Sequence, residues 1–192
     1  MNQNNYFYFA INKPYGVLSQ FSDGFGRKTL ADFFKIPKNV YPVGRLDMDS
    51  EGLLLLANDK KLTDYLLNPG NKHDREYFSQ VEGIPSDSEL KTLEEGVIIE
   101  KRITLPAKIK MIEPPKIWDR IPPIRVRDNI PSSWISLVLV EGRNRQVRKM
   151  TAAIGHPTLR LIRVRIKNIL LNDLKPGEIR PLKPEEIAEL LS

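Results

Sequence analysis

Leu53, Leu54, Leu55 and Leu56 form an unbroken apolar run that begins after Gly52 and ends before Asn58-Asp59. So short a run, bounded by turn residues, predicts a strand buried on both faces. Such a strand needs partners along its edges and cover above and below, which a lone hairpin or helix pair cannot supply. Directly ahead of it lies Gly44-Arg45-Leu46-Asp47-Met48-Asp49-Ser50-Glu51-Gly52, with three carboxylates, an arginine and two glycines in nine residues. The polar cluster therefore sits on a loop anchored by the core, where scaffolds commonly present chemistry.

Two plainer readings compete. Asp47, Asp49 and Ser50 are residue types that often satisfy nearby backbone amides in a turn. Asp47, Asp49, Glu51 and Gly52 also fall at positions 1, 3, 5 and 6 of a calcium-loop pattern. Position 12 of that pattern would be Asn58 and positions 7 to 10 would be the leucines, so the later ligands are missing and a strand stands where a helix should start.

A chain of 192 residues with 41% hydrophobic content is long enough for one well-packed catalytic domain, expected to span 1–192 in two lobes. No apolar run approaches the ~20 residues of a membrane-spanning helix. The N-terminal Met1-Asn2-Gln3-Asn4-Asn5 does not resemble a signal peptide. With no cysteines and two histidines, disulfides are excluded and no metal site is expected. These features together predict a cytoplasmic protein without a membrane partner. The net charge is +6, and its placement matters more than its size. Residues 142–172 hold eight Arg or Lys and no Asp or Glu, whereas the remainder holds 22 basic against 24 acidic residues. One segment carries the whole cationic excess, which points to a polyanion such as nucleic acid unless it is merely a solvated basic face.

Along the chain, residues 6–11 predict a first strand, and Thr29 with Asp32 three residues on predicts a helix N-cap, that helix ending at Pro37. Residues 60–68 carry Leu62, Tyr65 and Leu66 at helical spacing. Residues 75–82 alternate as a strand, with Tyr77, Ser79 and Val81 on one face. Ser86 and Glu89 form a capping-box pair, and Gly96 suits the end of that helix. Strands are expected over 105–112 and 135–140, separated by a proline-rich loop at 113–133. Glu141 to Arg145 should turn into a helix over 146–154, and 161–167 should form a strand with one apolar and one cationic face. Pro184 opens a last helix. The irregular order predicts an α+β fold, a mixed and mainly antiparallel central sheet with flanking helices and a basic cleft between the lobes.

Four motifs in this order resemble the RsuA-type pseudouridine synthases. They are Asn12-Lys13-Pro14 with Gly16 to Ser19, the Gly44 to Leu54 stretch, Arg75-Glu76-Tyr77, and Glu141-Gly142-Arg143-Asn144-Arg145-Gln146-Val147-Arg148-Lys149-Met150. The resemblance implies that a specific uridine of large-subunit ribosomal RNA is isomerised to pseudouridine by a monomeric enzyme needing no cofactor. The N-terminal S4 module of many relatives is not expected, so RNA affinity should come from the catalytic domain. Asp47 matches the family's catalytic carboxylate, which attacks ribose or uracil or deprotonates the sugar. Arg148 matches the arginine that pairs with it and keeps it ionised against burial. Tyr77 matches the tyrosine that stacks on uracil and serves in proton transfer, and Arg45 the arginine that fills the stack when the base is extruded. Leu161 is expected against the other side of the ring, while Arg143, Arg145, Arg160, Arg163 and Arg165 are expected to contact phosphates. Asp49 and Glu51 are read as structural. Plainer roles remain for each: a core aromatic for Tyr77, one more phosphate contact for Arg148. A metal-dependent nuclease using Asp47, Asp49 and Glu51, or a non-catalytic RNA-binding module, are the rival functions.

Overall fold

The structure, a computed structural model, describes residues 6–124 and 130–192. Its first elements are β1 (Tyr8–Lys13), β2 (Tyr41–Val43), β3 (Glu51–Ala57), α1 (Lys60–Leu67), β4 (Arg75–Glu82) and α2 (Asp87–Glu95). The strands β5 (Ile98–Ile99), β6 (Arg102–Ile103), β7 (Lys108–Ile112) and β8 (Ser132–Leu139) come next, then α3 (Gln146–Ala153) and β9 (Thr158–Ile166). The chain closes with β10 (Ile169–Leu170), β11 (Ile179–Pro181) and α4 (Pro184–Leu191). It divides into two compact units, one formed by the described residues up to Asn71 with Arg163–Ser192, the other by Lys72–Ile162. The class is α+β, a mixed sheet with four helices.

In the first unit the leucine strand is central. β1 runs antiparallel to β3, with Ile11 opposite Leu54 and Lys13 opposite Gly52. β11 extends the sheet beyond β1, and β2 pairs with the end of β3, Val43 opposite Leu55. Leu53 to Leu56 are at most 2% exposed. At about 1.5–3 kcal/mol each, the four contribute roughly 6–12 kcal/mol before entropy is charged against them. α1 starts where Asp59 accepts from the Lys61 and Leu62 amides at 2.9 and 3.3 Å, and it buries Leu62 and Leu66. The helix expected after Thr29 is a single 3-10 turn, Leu30–Asp32. Its cap forms, the Asp32 carboxylate accepting from the Thr29 amide at 2.7 Å, but Pro37 follows too soon for elongation to offset nucleation.

In the second unit β4 and β8 pair without interruption from Arg75 opposite Leu139 to Glu82 opposite Ser132, and β7 lies on the other edge of β8. Val81, Leu93, Ile135, Leu137 and Met150 are fully buried between this sheet, α2 and α3. The capping box of α2 is present, the Ser86 amide donating to Glu89 at 2.7 Å. The β5–β6 hairpin was not foreseen. It turns at Glu100 and Lys101, both at positive φ (50° and 64°), without the Asn or Gly that normally advertises such a turn. The described part of the proline-rich segment contains no helix or strand before β8, and Arg125 lies outside the described residues.

Candidate active site

Several backbone contacts hold the Asp47 loop. Gly44 turns the chain at φ +79°, and a side chain there would meet Leu67 Cδ2 at 3.0 Å. The Ser19 hydroxyl accepts from the Leu46 amide at 3.0 Å and lies 2.7 Å from the Leu46 carbonyl, to which it donates. The Gly16 amide donates to the Met48 carbonyl at 2.8 Å, and the Ser50 amide to the Asp47 carbonyl at 3.1 Å, closing a turn over Met48 and Asp49. Leu46 and Ser50 point inward while Arg45 is exposed. Asp47 is half-buried, which revises the expectation of a buried carboxylate.

Deep burial falls on residues that the sequence reading left without a catalytic role. Lys13 is wholly inaccessible and Glu51 is 2% exposed. The Lys13 ammonium donates to the carbonyls of Pro14 (2.9 Å) and Val17 (2.7 Å). Burial lowers its pKa to about 7, opposed by the carboxylates of Glu51, Asp49 and Asp47 and assisted by the Arg163 cation. The segment that bears Lys13, Gly16 and Ser19 is thus the bracket of the Asp47 loop. Its signal was the Asn12-Lys13-Pro14 motif, recognisable as a pattern but not assignable to a job.

Arg163 departs most from expectation. It is 4% exposed rather than on an open cationic face, and its Nε donates to the Leu53 carbonyl at 2.8 Å. Its neighbour Ile162 is buried as well, so the expected division of this strand into an apolar and an exposed cationic face does not hold here. Arg165 is half-buried, with Nη1 donating to the Lys167 carbonyl at 2.8 Å.

In the second unit Tyr77 is partly buried and packs against the core of that unit. Two positions along on the same face of β4, the Ser79 hydroxyl lies 3.1 Å from that of Thr158, itself 2.8 Å from the Thr151 hydroxyl. Arg148 Nη1 donates to the Thr158 carbonyl at 3.3 Å. The hydroxyls of Ser79, Thr158 and Thr151 thus tie together β4, β9 and α3, the helix that bears Arg148, a connection with no mark in the linear sequence. Leu161 belongs to the core of the unit. Arg160 is 6% exposed and faces inward, donating to the Trp118 carbonyl at 3.0 Å with its guanidinium 5.6 Å from the Trp118 ring centre. It pins the proline-rich segment, so the expectation of an open phosphate contact is revised there too.

The 141–145 turn behaves likewise. Arg143 Nε donates to Glu141 at 3.2 Å, and its terminal nitrogens donate to the carbonyls of Arg102 and Ile103. Glu141 also accepts from Gln146 at 2.6 Å and from the Leu105 amide at 2.9 Å. Arg143 is a structural tie to β6 rather than an open cation. Arg145, the N-cap of α3 at φ 52°, is exposed. Among the described residues no three carboxylate, imidazole or thiol groups converge as a metal ion requires, and no helix is long and apolar enough to cross a membrane.

Residues 7–153, which contain the Asp47 loop, Tyr77 and Arg148, match the family described as RNA pseudouridylate synthase. Ribosomal large subunit pseudouridine synthase E of Vibrio parahaemolyticus is 51% identical over 173 residues, covering 90% of this chain and 72% of that protein. The enzyme of the same name from Xanthomonas axonopodis pv. citri is 50% identical over 169 residues, covering 86% and 88%. Residues 26–30, 122–125 and 151–163 already resemble that subgroup. A crystal structure of pseudouridylate synthase superposes with a TM-score of 0.81 at 28% identity, covering 97% of this chain and 74% of that one. A half-buried carboxylate on a braced loop, a tyrosine and an arginine set on elements that the Ser79, Thr151 and Thr158 hydroxyls tie together, and these likenesses lead to one conclusion: the chain belongs to the RNA pseudouridylate synthase family.

Proposed function

We propose that this protein isomerises a specific uridine of large-subunit ribosomal RNA to pseudouridine, with Asp47 as the catalytic carboxylate. The observation that carries the reading is half-identity to large-subunit synthases over nearly the whole chain. The reaction breaks the C1′–N1 bond, rotates the uracil and forms C1′–C5; C5 loses a proton and N1 gains one. No atom or electron is added or removed, so the protein has only to supply a carboxylate, hold the detached base and move one proton. Every route open to Asp47 needs it ionised, and Arg148 is the cation assigned to keep it so. Tyr77 is assigned to stack on the uracil and relay the proton. The exposed Arg45 is assigned to fill the gap left by the extruded base, and Arg145 and Arg165 to bind phosphates. An rRNA substrate places the reaction in the cytoplasm, and the enzyme is read as a monomer.

Asp47→Asn retains size and removes charge. It is expected to fold and bind RNA while pseudouridine formation on unmodified large-subunit rRNA disappears, a loss of many orders of magnitude. Asp49→Asn should instead lose about 1–3 kcal/mol of stability and keep turnover. Near-normal product from a folded Asp47→Asn enzyme would refute the assignment.

A further inference from the structure

The first unit carries a groove, of about 810 Å³, that the catalytic assignments leave unused. Phe34 and Val40, 3% and 1% exposed, form its floor, and Lys35, Lys38 and Tyr41 stand around it. Tyr41 is 62% exposed, an unusual position for an aromatic side chain on a strand. Among the described residues no acid lines the groove, and two acids of the preceding segment are engaged elsewhere. Asp23 is paired with Arg27 at 2.6 Å, and Asp32 accepts from both the amide and hydroxyl of Thr29. Among the described residues neither Lys35 nor Lys38 forms an ion pair.

An apolar floor, an exposed aromatic ring and two uncommitted ammonium groups form the combination that holds an unpaired nucleotide: a π-face and apolar surface for the base, point charges for its phosphates. Position favours RNA over an acidic peptide. Tyr41 precedes Asp47 by six residues, so chain length alone keeps it within roughly 20 Å of the carboxylate, past which the substrate strand must run.

We propose that this groove binds an unpaired nucleotide of the substrate RNA flanking the target uridine, its base against Tyr41 and its phosphates toward Lys35 and Lys38. The inference rests on the reading of the chain as an RNA-modifying synthase, and it names a contact that selects the substrate outside the reacting base.

The test uses the whole protein with a large-subunit rRNA transcript and the shortest trimmed fragment still modified. Tyr41→Ala should raise KM on the transcript about tenfold, within the cost of losing one base–aromatic stack, with kcat unchanged. Tyr41→Phe should restore it, and the double variant Lys35→Ala/Lys38→Ala should raise KM more at low salt than at high, because it loses phosphate contacts that salt already screens in wild type. On a fragment trimmed of the bound nucleotide, the wild-type KM should rise to that of Tyr41→Ala. Ultraviolet crosslinking of wild type to the transcript should label Tyr41. KM within twofold of wild type for all variants, with no crosslink at Tyr41, overturns the proposal. So does a concentration-dependent dimer that the same variants abolish, since the groove would then serve a second copy. A wild-type enzyme that makes no pseudouridine counts against the functional reading instead, and the crosslink, which needs no turnover, still decides the groove.

Discussion

The 44–50 loop and the 141–145 turn look alike in sequence, each a short glycine-containing stretch of mixed charge ahead of a regular element, yet they are built in opposite ways. The first is fixed by its backbone: Ser19 grips Leu46 on both sides and Gly16 holds Met48. Within it Arg45 is exposed and Asp47 half-buried. The second is fixed by its side chains, Glu141 and Arg143 bonding to Gln146, Leu105, Arg102 and Ile103. Arg145 alone of its charged residues is exposed. Whether a charge stays exposed or is bonded inside the protein depends on the fold around it, and a charge count cannot show this. Eight cations in residues 142–172 gave the right class of partner, but at least Arg143, Arg160 and Arg163 are engaged inside the protein.

Lys13 offers the largest lever on the bracket beneath the first loop. Its pKa falls from 10.5 unfolded to about 7 folded, chiefly through burial. Between those values the unfolded chain binds more protons than the folded one, so stability rises with pH. The contribution is fully present above pH ~10.5 and is lost as pH falls through about 7. Lys13→Met removes the titration without emptying the site. Relative to this variant, wild type should therefore gain on the order of 3 kcal/mol between pH 7 and 10 in urea unfolding. A constant difference between the two proteins across that range would show that the ammonium is not held in a poorly solvated site.

Arg163 comes next. If it were an open phosphate contact, Arg163→Ala would leave stability alone and lower the salt dependence of RNA binding by about one contact. Buried and bonded to Leu53, it should instead cost about 2–4 kcal/mol, from an unsatisfied carbonyl and lost packing. Chemical denaturation of the variant decides between them. An unchanged midpoint with a shallower salt slope would restore the surface role.

The physical range of each interaction explains what could be read without coordinates. β3, β4, α3 and the Ser86–Glu89 cap rest on neighbours within a few positions, so periodicity and capping chemistry found them to within a residue or two. Asp47, Tyr77 and Arg148 were visible through their motifs, and the Asp47 loop through its anchoring strand. The Ser19 grip spans 27 positions, the Arg163 bond 110 and the Ser79–Thr158 contact 79, and no local pattern encodes them. The β5–β6 turn was hidden for a different reason: its two-residue loop takes left-handed backbone angles at Glu100 and Lys101, residue types that do not signal them.

The smallest effects give the closest test of the two-loop contrast, because Arg143 and Arg145 lie two residues apart and differ in exposure, Arg143 half-buried and Arg145 exposed. Arg143→Ala breaks the link to Glu141 and leaves the Arg102 and Ile103 carbonyls to water, so a loss of about 1–2 kcal/mol is expected, with RNA affinity changing only as far as folding does. Its salt slope should match wild type, since an arginine already bonded within the protein releases no counterion from RNA. Arg145→Ala should do the reverse. Its side chain is exposed, so the thermal midpoint should hold within the scatter of surface substitutions, while the slope of log affinity against log salt falls by a little under one unit. At the N-cap of α3 its backbone sits at φ 52°, so Arg145→Gly, which relaxes that angle, should show the same slope loss with stability equal to or above wild type. If both Arg143→Ala and Arg145→Ala lowered the slope equally and neither destabilised the fold, the distinction between half-buried and exposed charge would fail at this turn.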